Sequence, residues 1–206
     1  MSNDRLGVRD AVGAEIVRGA CAKGAGPVAD GLEPKGKFIL EHWRNGKRIG
    51  EWHFHNLVTN QGKNQMFNTL FKGATQIASW YIGLISSVSY TALAATDDYA
   101  DIGQTLDQWK EYTGYNDDAN SQSSTTRPAW PCGSASAQSV TNSSPAIFDI
   151  TAAGTVMGAF ICGGGSAQTK GDHTAGGILW AEGLFSSGNS NVNVGDQLKL
   201  TYSVSC

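Results

Sequence analysis

The C-terminal half of the chain has the most regular hydrophobic pattern. Four short runs rich in Val, Ile, Phe, Leu and Thr are separated by Gly, Asn and Ser, and they read SVTNSSPAIFDIT, GTVMGAFICGG, GGILWAEGLFSS and NVNVGDQLKLTYSVSC. In the last run apolar and polar positions alternate from Leu198 to Cys206, which predicts a half-buried antiparallel strand. Short strands at roughly 8–12-residue spacing, with no helices between them, predict an all-β fold: an antiparallel β-sandwich that is jelly-roll-like.

A hairpin is predicted near the start of this fold. The runs KFILEHW and RIGEWHFHNLV flank the dipeptide Asn45-Gly46, which favours a type I′ turn. That turn pairs His42 with Ile49 and Ile39 with Trp52. The residues then expected on one face of the hairpin are His42, Ile49, Glu51, His53 and His55.

The segment NLVTNQGKNQMFNTLFKG predicts one short helix. Asn60 is a candidate N-cap and Gly73 ends the run, so we place the helix at about residues 61–72. Its apolar residues recur at helical spacing and comprise Val58, Met66, Phe67, Leu70 and Phe71. The following run SWYIGLISS predicts a buried strand, and YTALAATDDYADI predicts a loop with one helical turn.

The first residues have no pattern that could build a core. The run GACAKGAGPVADGLEP is rich in Gly, Ala and Pro and is aperiodic. We therefore predict two parts, an extended N-terminal arm at residues 1–35 with a short helix near 11–17, and a β-sandwich domain at residues 36–206.

The charge and hydropathy of the chain limit the kinds of partner that we expect it to bind. The chain has 206 residues, a net charge of −3 and scattered lysines and arginines, so we do not expect it to bind nucleic acid. Charged residues make up 16% of the chain, below the ~25% of an ordinary soluble domain, which favours a protein that packs against neighbours in a large assembly. No apolar run is long enough for a membrane span and no secretory signal is present, so we expect synthesis in the cytoplasm and no membrane partner.

The hairpin raises the question of a metal site. His53 and His55 share a face with Glu51, and an H-x-H pair on a strand can hold a metal when a third ligand arrives. His173 lies far away in a glycine-rich loop, so we expect no metal and no cofactor. We expect instead that Trp43, Trp52, His53 and His55 fill a packed or contacted surface.

The sequence offers little for catalysis. Neither the nucleophile elbow G-x-S-x-G nor the phosphate loop G-x-x-x-x-G-K-[ST] occurs. Glu51, Asp149 and Glu182 are candidate carboxylates for a glycosidase, but the sequence does not bring any two of them together. We therefore expect that the protein is not an enzyme.

Aromatic residues keep a carbohydrate-binding module open as an alternative. Such modules stack sugars on surface Trp and Tyr, whereas the same residues could equally be core or interface anchors. The candidates are Trp80, Tyr81, Trp109, Tyr112, Tyr115, Trp130 and Trp180.

A series of motifs resembles a group of tailed-bacteriophage virion proteins. The motifs span about residues 36–206 and are HNLVTNQGKNQMFNTLF, WYIGLI, YTALAATDDYADI, W-x-E-Y at 109–112, RPAW, SSPAIFDIT, GTVMGAFI, GGILWAEGLFSSG and GDQLKLTYSVS. The resemblance implies a structural protein on the capsid surface of the virion, most often a head decoration or cement protein. It implies the major capsid protein and a second copy of the chain (a dimer or trimer) as partners, and no catalytic residues. A tail, neck or fibre module stays open as the alternative.

In a virion protein the cysteines could form disulfides between chains. Cys21, Cys132, Cys162 and Cys206 are widely spaced and form no C-x-x-C pair, so neither a disulfide scaffold nor zinc binding is indicated. Cysteines on tails can reach another chain, and disulfides persist on particle surfaces. We therefore predict an interchain disulfide through Cys21 or Cys206.

Overall fold

The computed structural model of the protein describes residues 33–103, 109–171 and 176–206. These residues contain twelve strands, one α-helix and two 3₁₀ helices. In chain order the elements are β1 (Lys35–Arg44), β2 (Lys47–His55), β3 (Leu57–Val58), α1 (Asn60–Lys72), β4 (Trp80–Ser86), the 3₁₀ helix Tyr99–Asp101, β5 (Lys110–Glu111), β6 (Tyr115–Asp117), the 3₁₀ helix Asp118–Asn120, β7 (Ser139–Thr141), β8 (Ala146–Ile150), β9 (Gly154–Gly163), β10 (Ile178–Leu184), β11 (Ser190–Val192) and β12 (Gln197–Ser205).

Two antiparallel sheets form the body of the fold. The first sheet has the order β2-β1-β12-β8-β6, with β7 also paired to β12. The second has the order β3-β10-β9-β4-β5, with β11 also paired to β9. Inward-facing residues of both sheets, such as Leu40 and Ile161, meet in one core. The predicted all-β antiparallel β-sandwich with one helix is therefore confirmed.

The alternation of β12 has the predicted consequence. Leu198, Leu200 and Tyr202 are fully buried, while the residues between them are partly exposed. β12 lies between β1 on one side and β7 and β8 on the other, so the last strand of the chain is central to the first sheet. One strand thus ties the N-terminal hairpin to the C-terminal half.

The predicted register of the hairpin is wrong beyond its turn. Asn45 and Gly46 have the positive φ angles of the expected turn, 51° and 73°. A β-bulge between His42 and Trp43 then shifts the pairing, so that His42 faces Gly50 rather than Ile49. Ile39 accordingly pairs with His53, and Trp52 pairs with Leu40.

The bulge also changes the face on which His42 lies. An extra residue in one strand of a pair turns the following side chains to the opposite face. His42 is buried, whereas Glu51, His53 and His55 are exposed. The prediction that His42 shares their face is therefore wrong.

Helix α1 begins and ends close to the predicted positions. The N-cap is Thr59 rather than Asn60, because the Thr59 hydroxyl accepts a hydrogen bond from the Gly62 amide at 3.0 Å. Gly73 ends the helix in the left-handed conformation, with φ 68°. Gly62 packs on β10, where a Cβ would lie 2.6 Å from the Trp180 carbonyl oxygen. A larger side chain at residue 62 would push the helix off the sheet.

A second core covers the outer face of the second sheet. Phe160 and Cys162 on β9 alternate with Ile161 and therefore point away from the main core. Residues from the segment after β4, including Tyr99 and Trp109, pack on them. The second sheet is thus covered on both faces, whereas the outward side chains of the first sheet, such as those of β1, are partly or fully exposed.

The predicted arm at residues 1–35 lies outside the described residues except for its last three, and β1 begins at Lys35. Among the described residues, no helix has the length and hydropathy needed to cross a membrane.

Candidate interaction surface

Three large apolar side chains stand exposed on α1. Phe67, Leu70 and Phe71, which we call the apolar ridge, are exposed by 43%, 61% and 76%. The rings of Phe67 and Phe71 stack with centroids 6.1 Å apart and an interplanar angle of 22°. Large apolar patches on a folded protein usually mark a contact site.

The orientation of α1 explains this exposure. The helix packs on β10 through Gly62, which is its one buried residue. Residues three and four apart share a helix face, so Phe67, Leu70 and Phe71 form one stripe that points away from the sandwich. The apolar periodicity that predicts the helix therefore marks an outward stripe rather than a core-facing one.

A groove runs beside the ridge. It has a volume of about 240 Å³ and lies between α1, Ile77 and two tryptophans, Trp80 and Trp180. The two indole rings meet edge to face, with centroids 6.1 Å apart and an angle of 68°. The Trp180 indole N–H donates to the Tyr202 hydroxyl at 2.9 Å, which fixes the wall of the groove. Ridge and groove share Leu70 and so form one continuous apolar surface.

The charge on α1 has a single sign. The helix carries Lys63 and Lys72 and no acidic residue. Within the described part of the chain, neither lysine forms an ion pair. The two lysines are nine residues apart, or about two and a half helical turns, so they lie on opposite sides of α1.

The hairpin residues expected at an interface do not all share a face. Trp43 lies on the outer face, where the Lys199 ammonium sits 4.6 Å from its ring centroid. Trp52 turns inward and stacks on Phe185, with ring centroids 5.5 Å apart. His53 and His55 are exposed. Trp43, His53 and His55 are thus available for contact, while Trp52 is part of the packing under them.

The histidines do not meet a third metal ligand in the described residues. His53 contacts Glu51 through its ring nitrogen at 2.5 Å, and His55 is the next residue on that face. No group of three or more His, Cys, Asp or Glu side chains that could hold a metal is found among the described residues.

The three candidate glycosidase carboxylates are spread over the fold. Glu51 lies on β2 and Asp149 on β8, three strand spacings apart in the first sheet, or roughly 14 Å. Glu182 lies on β10 in the other sheet and is fully buried. A glycosidase needs two carboxyl groups within about 5–9.5 Å, and these residues do not provide such a pair.

One arrangement that the sequence analysis missed has the order of a catalytic triad. The Ser190 hydroxyl lies 3.1 Å from His42 Nδ1, and His42 Nε2 lies 2.8 Å from Asp196 Oδ2. Arg44 also binds Asp196, donating from Nε to Oδ1 at 2.7 Å and from Nη2 to Oδ2 at 2.8 Å. These bonds hold the pKa of Asp196 well below its usual range, with the Arg44 contact as the largest cause.

Burial separates this arrangement from hydrolase chemistry. Ser190, His42 and Asp196 are each at most 3% exposed, so a substrate cannot reach the Ser190 oxygen in this conformation. The contacts instead join β1 to β11 and to the turn before β12, over sequence separations of up to 154 residues. Because these residues are so far apart in the sequence, no local motif could have predicted the contacts between them.

Most of the candidate aromatic platforms are structural. Trp109, Tyr112, Tyr115 and Trp130 are buried in the two cores. Trp80, Tyr81 and Trp180 are half-buried, and two of these line the groove beside α1.

The cysteines differ in exposure. Cys206 and Cys132 are exposed free thiols, while Cys162 is buried, and burial raises its pKa to about 12. Cys21 lies outside the described residues. Cys206 is therefore accessible to a second chain.

Comparison of the chain with protein-family models, with curated proteins and with solved structures finds no match.

Proposed function

We propose that this protein is a structural component of a tailed-bacteriophage particle, a capsid decoration (cement) protein that binds the expanded head. It bridges neighbouring subunits of the major capsid protein and stabilises the shell from its outer surface. The observation that carries this proposal is the exposed apolar ridge beside a concave groove on α1. An exposed apolar surface lowers solubility unless a partner covers it, so its presence favours a protein that binds another protein.

Two sequence features support the same function. The series of motifs at residues 36–206 resembles virion proteins, and charged residues make up only 16% of the chain. A particle repeats each contact many times, so that modest binding at each site adds through multivalency. The protein acts as a homo-oligomer in this proposal, and its mechanism is adhesion without catalysis.

The test is co-sedimentation of the purified protein with expanded shells that lack it, beside unexpanded procapsids of the same phage. Saturable binding to expanded shells alone is the expected result. Absence of binding to both kinds of shell would contradict the proposal.

A pair of variants ties the binding to α1. Phe71→Ser removes the most exposed side chain of the ridge and should weaken shell binding at least several-fold. Val88→Ser is the matched control, because Val88 is 62% exposed and lies outside α1. Equal loss of binding in both variants would mean that the ridge has no specific role.

The groove favours a second candidate function, a tail, neck or fibre module that binds a glycan. Trp80 and Trp180 line the groove together with the side-chain amides of Gln65 and Gln76. Sugar-binding sites use aromatic rings for stacking and amides for hydrogen bonds to hydroxyl groups. The two rings cross at 68° and do not form a flat platform. A glycan screen with the wild-type protein and Trp80→Ala distinguishes the two functions.

The interchain disulfide through Cys21 or Cys206 remains a prediction, and of these two residues the structure describes Cys206. Because the Cys206 thiol is exposed, it can meet a neighbouring copy or a capsid subunit after the particle leaves the reducing cytoplasm. Virion protein lysed with a thiol-blocking reagent should migrate above monomer mass without reductant, and either Cys206→Ser or Cys21→Ser should abolish that band. Migration at monomer mass in the wild type would refute it.

A further inference from the structure

We infer that the cavity between β10 and the segment after β4 binds a guanidinium group carried on an alkyl chain, with Glu182 as the carboxylate that receives it. The group can belong to an arginine side chain of another protein or to a small alkylguanidine. None of the residues that line this cavity belongs to α1, so the site does not depend on the proposed function.

The cavity is large enough for such a ligand. Its volume of about 520 Å³ lies within the ~300–1,000 Å³ of pockets that enclose small molecules. Its walls come from residues 55–57, residues 90–93 and residues 182–184 of β10. Among the described residues that line it, Glu182 supplies the carboxyl group, and none is a lysine or an arginine.

Glu182 is a buried polar group without a partner on the side of the sheet where the cavity lies. It is fully buried, and neither carboxyl oxygen makes a hydrogen bond within the described part of the chain. Glu182 pairs with Phe160 across β9 and β10 and so shares its outer face, where Tyr90 and Leu93 of the cavity wall also pack. Buried polar groups are nearly always hydrogen-bonded, so two unpartnered oxygens indicate a site for an external donor.

A second carboxyl group makes a cation the favoured donor. Asp97 is 5% exposed and interacts electrostatically with Glu182. The ion pairs formed by the described residues include neither of these carboxyls, and the buried Arg127 is held by Glu111. Burial first and Asp97 second raise the pKa of Glu182 to about 9, so Glu182 carries a proton at pH 7. A cation that binds here takes the place of that proton.

The two oxygens of Glu182 favour a guanidinium over an ammonium. A guanidinium reaches both oxygens of one carboxylate with two parallel N–H groups, which is a strong and directional arrangement. The chain neutralises the buried Glu111 in this way, because Arg127 donates to it from Nε and Nη2, both at 2.8 Å. A guanidinium is also more weakly hydrated than an ammonium, so it enters a buried site more readily. Leu93 and Tyr90 supply apolar surface for the alkyl chain.

The ligand reaches Glu182 through a movement of that side chain. Its carboxyl oxygens are covered in this conformation, so the side chain must turn toward the cavity that it lines. No hydrogen bond within the described residues has to break for this turn. The buried Ser190 hydroxyl differs, because it is bonded to His42 at 3.1 Å.

The test uses two capped tripeptides, Gly-Arg-Gly and Gly-Lys-Gly, together with butylguanidine. Binding is followed by nuclear magnetic resonance titration, with the backbone amides of Leu93 and Gly183 as reporters in the cavity wall. At about pH 7.5 the arginine peptide should bind about fivefold more tightly than the lysine peptide. Tighter binding of the arginine peptide than of butylguanidine would identify a protein side chain as the source of the group, and the reverse order would identify a small molecule.

The affinity should rise with pH because Glu182 must lose its proton. The guanidinium stays charged, so the affinity should increase by up to about tenfold per pH unit and level off above about pH 9. The other titratable groups that face Glu182 are Asp97, Tyr90 and His55. Burial raises the pKa of Tyr90, so its phenol stays neutral between about pH 6.5 and about pH 8.5. His55→Gln removes the remaining group at the rim and should leave the slope unchanged.

Three variants locate the site. Glu182→Gln keeps the shape and removes the charge, so binding of the arginine peptide should fall at least about tenfold and lose its pH dependence. Asp97→Asn removes the carboxyl that raises the pKa of Glu182, so the affinity should level off at a lower pH than in the wild type. Asp118→Asn, at an exposed carboxyl after β6, is the control and should bind as the wild type does. Circular dichroism checks that each variant is folded at each pH.

Several results would overturn the inference. These are unchanged Leu93 and Gly183 amide signals at high concentrations of the arginine peptide, equal affinity for the two tripeptides, and an affinity that does not depend on pH. Wild-type binding by folded Glu182→Gln would also overturn it. If Glu182→Gln does not fold, a pH profile of Asp97→Asn that matches the wild type would exclude Glu182 as the receiving carboxylate.

Discussion

Two buried glutamates on the second sheet show different ways of keeping a carboxyl group in a protein interior. Glu111 on β5 accepts from Arg127 Nε and Nη2, both at 2.8 Å, from the Tyr115 hydroxyl at 3.1 Å and from the Gly171 amide at 2.6 Å. Glu182 on β10 is fully buried, and neither of its carboxyl oxygens has a hydrogen-bond partner among the described residues.

The contrast concerns how each charge is neutralised. Glu111 meets a guanidinium in two parallel hydrogen bonds, which is the strongest geometry available to a carboxylate. For Glu182, burial first and the nearby Asp97 carboxyl second raise the pKa from 4.5 to about 9. The Arg127 guanidinium thus lies directly against the Glu111 carboxyl, whereas a bound proton keeps Glu182 neutral at pH 7.

The largest expected effect comes from removing the cation. Arg127→Met leaves Glu111 buried and unpaired, so the free energy of unfolding should fall by about 3–5 kcal/mol. Urea denaturation at pH 7 measures this loss. Arg127→Met combined with Glu111→Leu should recover most of it, because no uncompensated charge then remains.

An exposed pair of the same chemistry is the control. Arg48 contacts Glu41 at 3.0 Å on the hairpin, where its side chain is 49% exposed. Arg48→Met should change the free energy of unfolding by at most about 1 kcal/mol. If the two arginine variants lose equal stability, burial is not what makes the Arg127 pair matter.

The second effect is the contribution of the buried Glu182 carboxyl to the dependence of stability on pH. Because its pKa in the folded protein is raised, the folded state binds more protons than the unfolded state between pH 4.5 and about 9. Its contribution is fully present below pH 4.5 and is lost as the pH rises through about 9. The slope is at most about 1.4 kcal/mol per pH unit.

Glu182→Gln isolates this contribution. The variant keeps the shape and removes the proton equilibrium, so its free energy of unfolding should fall less between about pH 5 and about pH 8 than that of the wild type. Asp97 and Tyr90 interact electrostatically with Glu182 and are present in both proteins. Their own contributions to the pH dependence therefore cancel only in part when the two pH profiles are compared. Glu33→Gln, at a side chain 71% exposed, is the control and should follow the wild type. Parallel pH profiles for wild type and Glu182→Gln would contradict the proton assignment.

The contrast also shows which parts of the fold were predictable. The alternation that begins at Leu198 and the Asn45-Gly46 turn each depend on a few adjacent residues. The turn is confirmed, and the alternation is confirmed as far as Tyr202, whereas Cys206 is exposed. The bulge after His42 depends on how β1 fits both β2 and β12, which no local pattern encodes. One extra residue was enough to move His42 from the exposed face to the core.

The interaction surface was predictable only in part. The spacing of Phe67, Leu70 and Phe71 predicts a helix, but it does not say whether the stripe faces the core or solvent. That choice depends on Gly62, whose missing side chain lets the other side of α1 approach β10. Glu182 did carry a signal, because it is the one charged residue in the apolar run GGILWAEGLF. A charge at the centre of a buried strand indicates a group whose ionisation the fold controls.

The smallest effect tests how far Glu111 depends on each of its partners. Tyr115→Phe removes one donor and leaves Arg127 and the Gly171 amide in place, so the free energy of unfolding should fall by only about 1 kcal/mol. The ring keeps its edge-to-face contact with Phe148, at 4.8 Å between centroids, so little packing is lost. In the Glu111→Leu/Arg127→Met background the Tyr115 hydroxyl has lost this acceptor, and Tyr115→Phe should then cost less or even stabilise. An equal cost in both backgrounds would mean that the hydroxyl contributes through something other than the carboxylate, and that the ion pair alone neutralises Glu111.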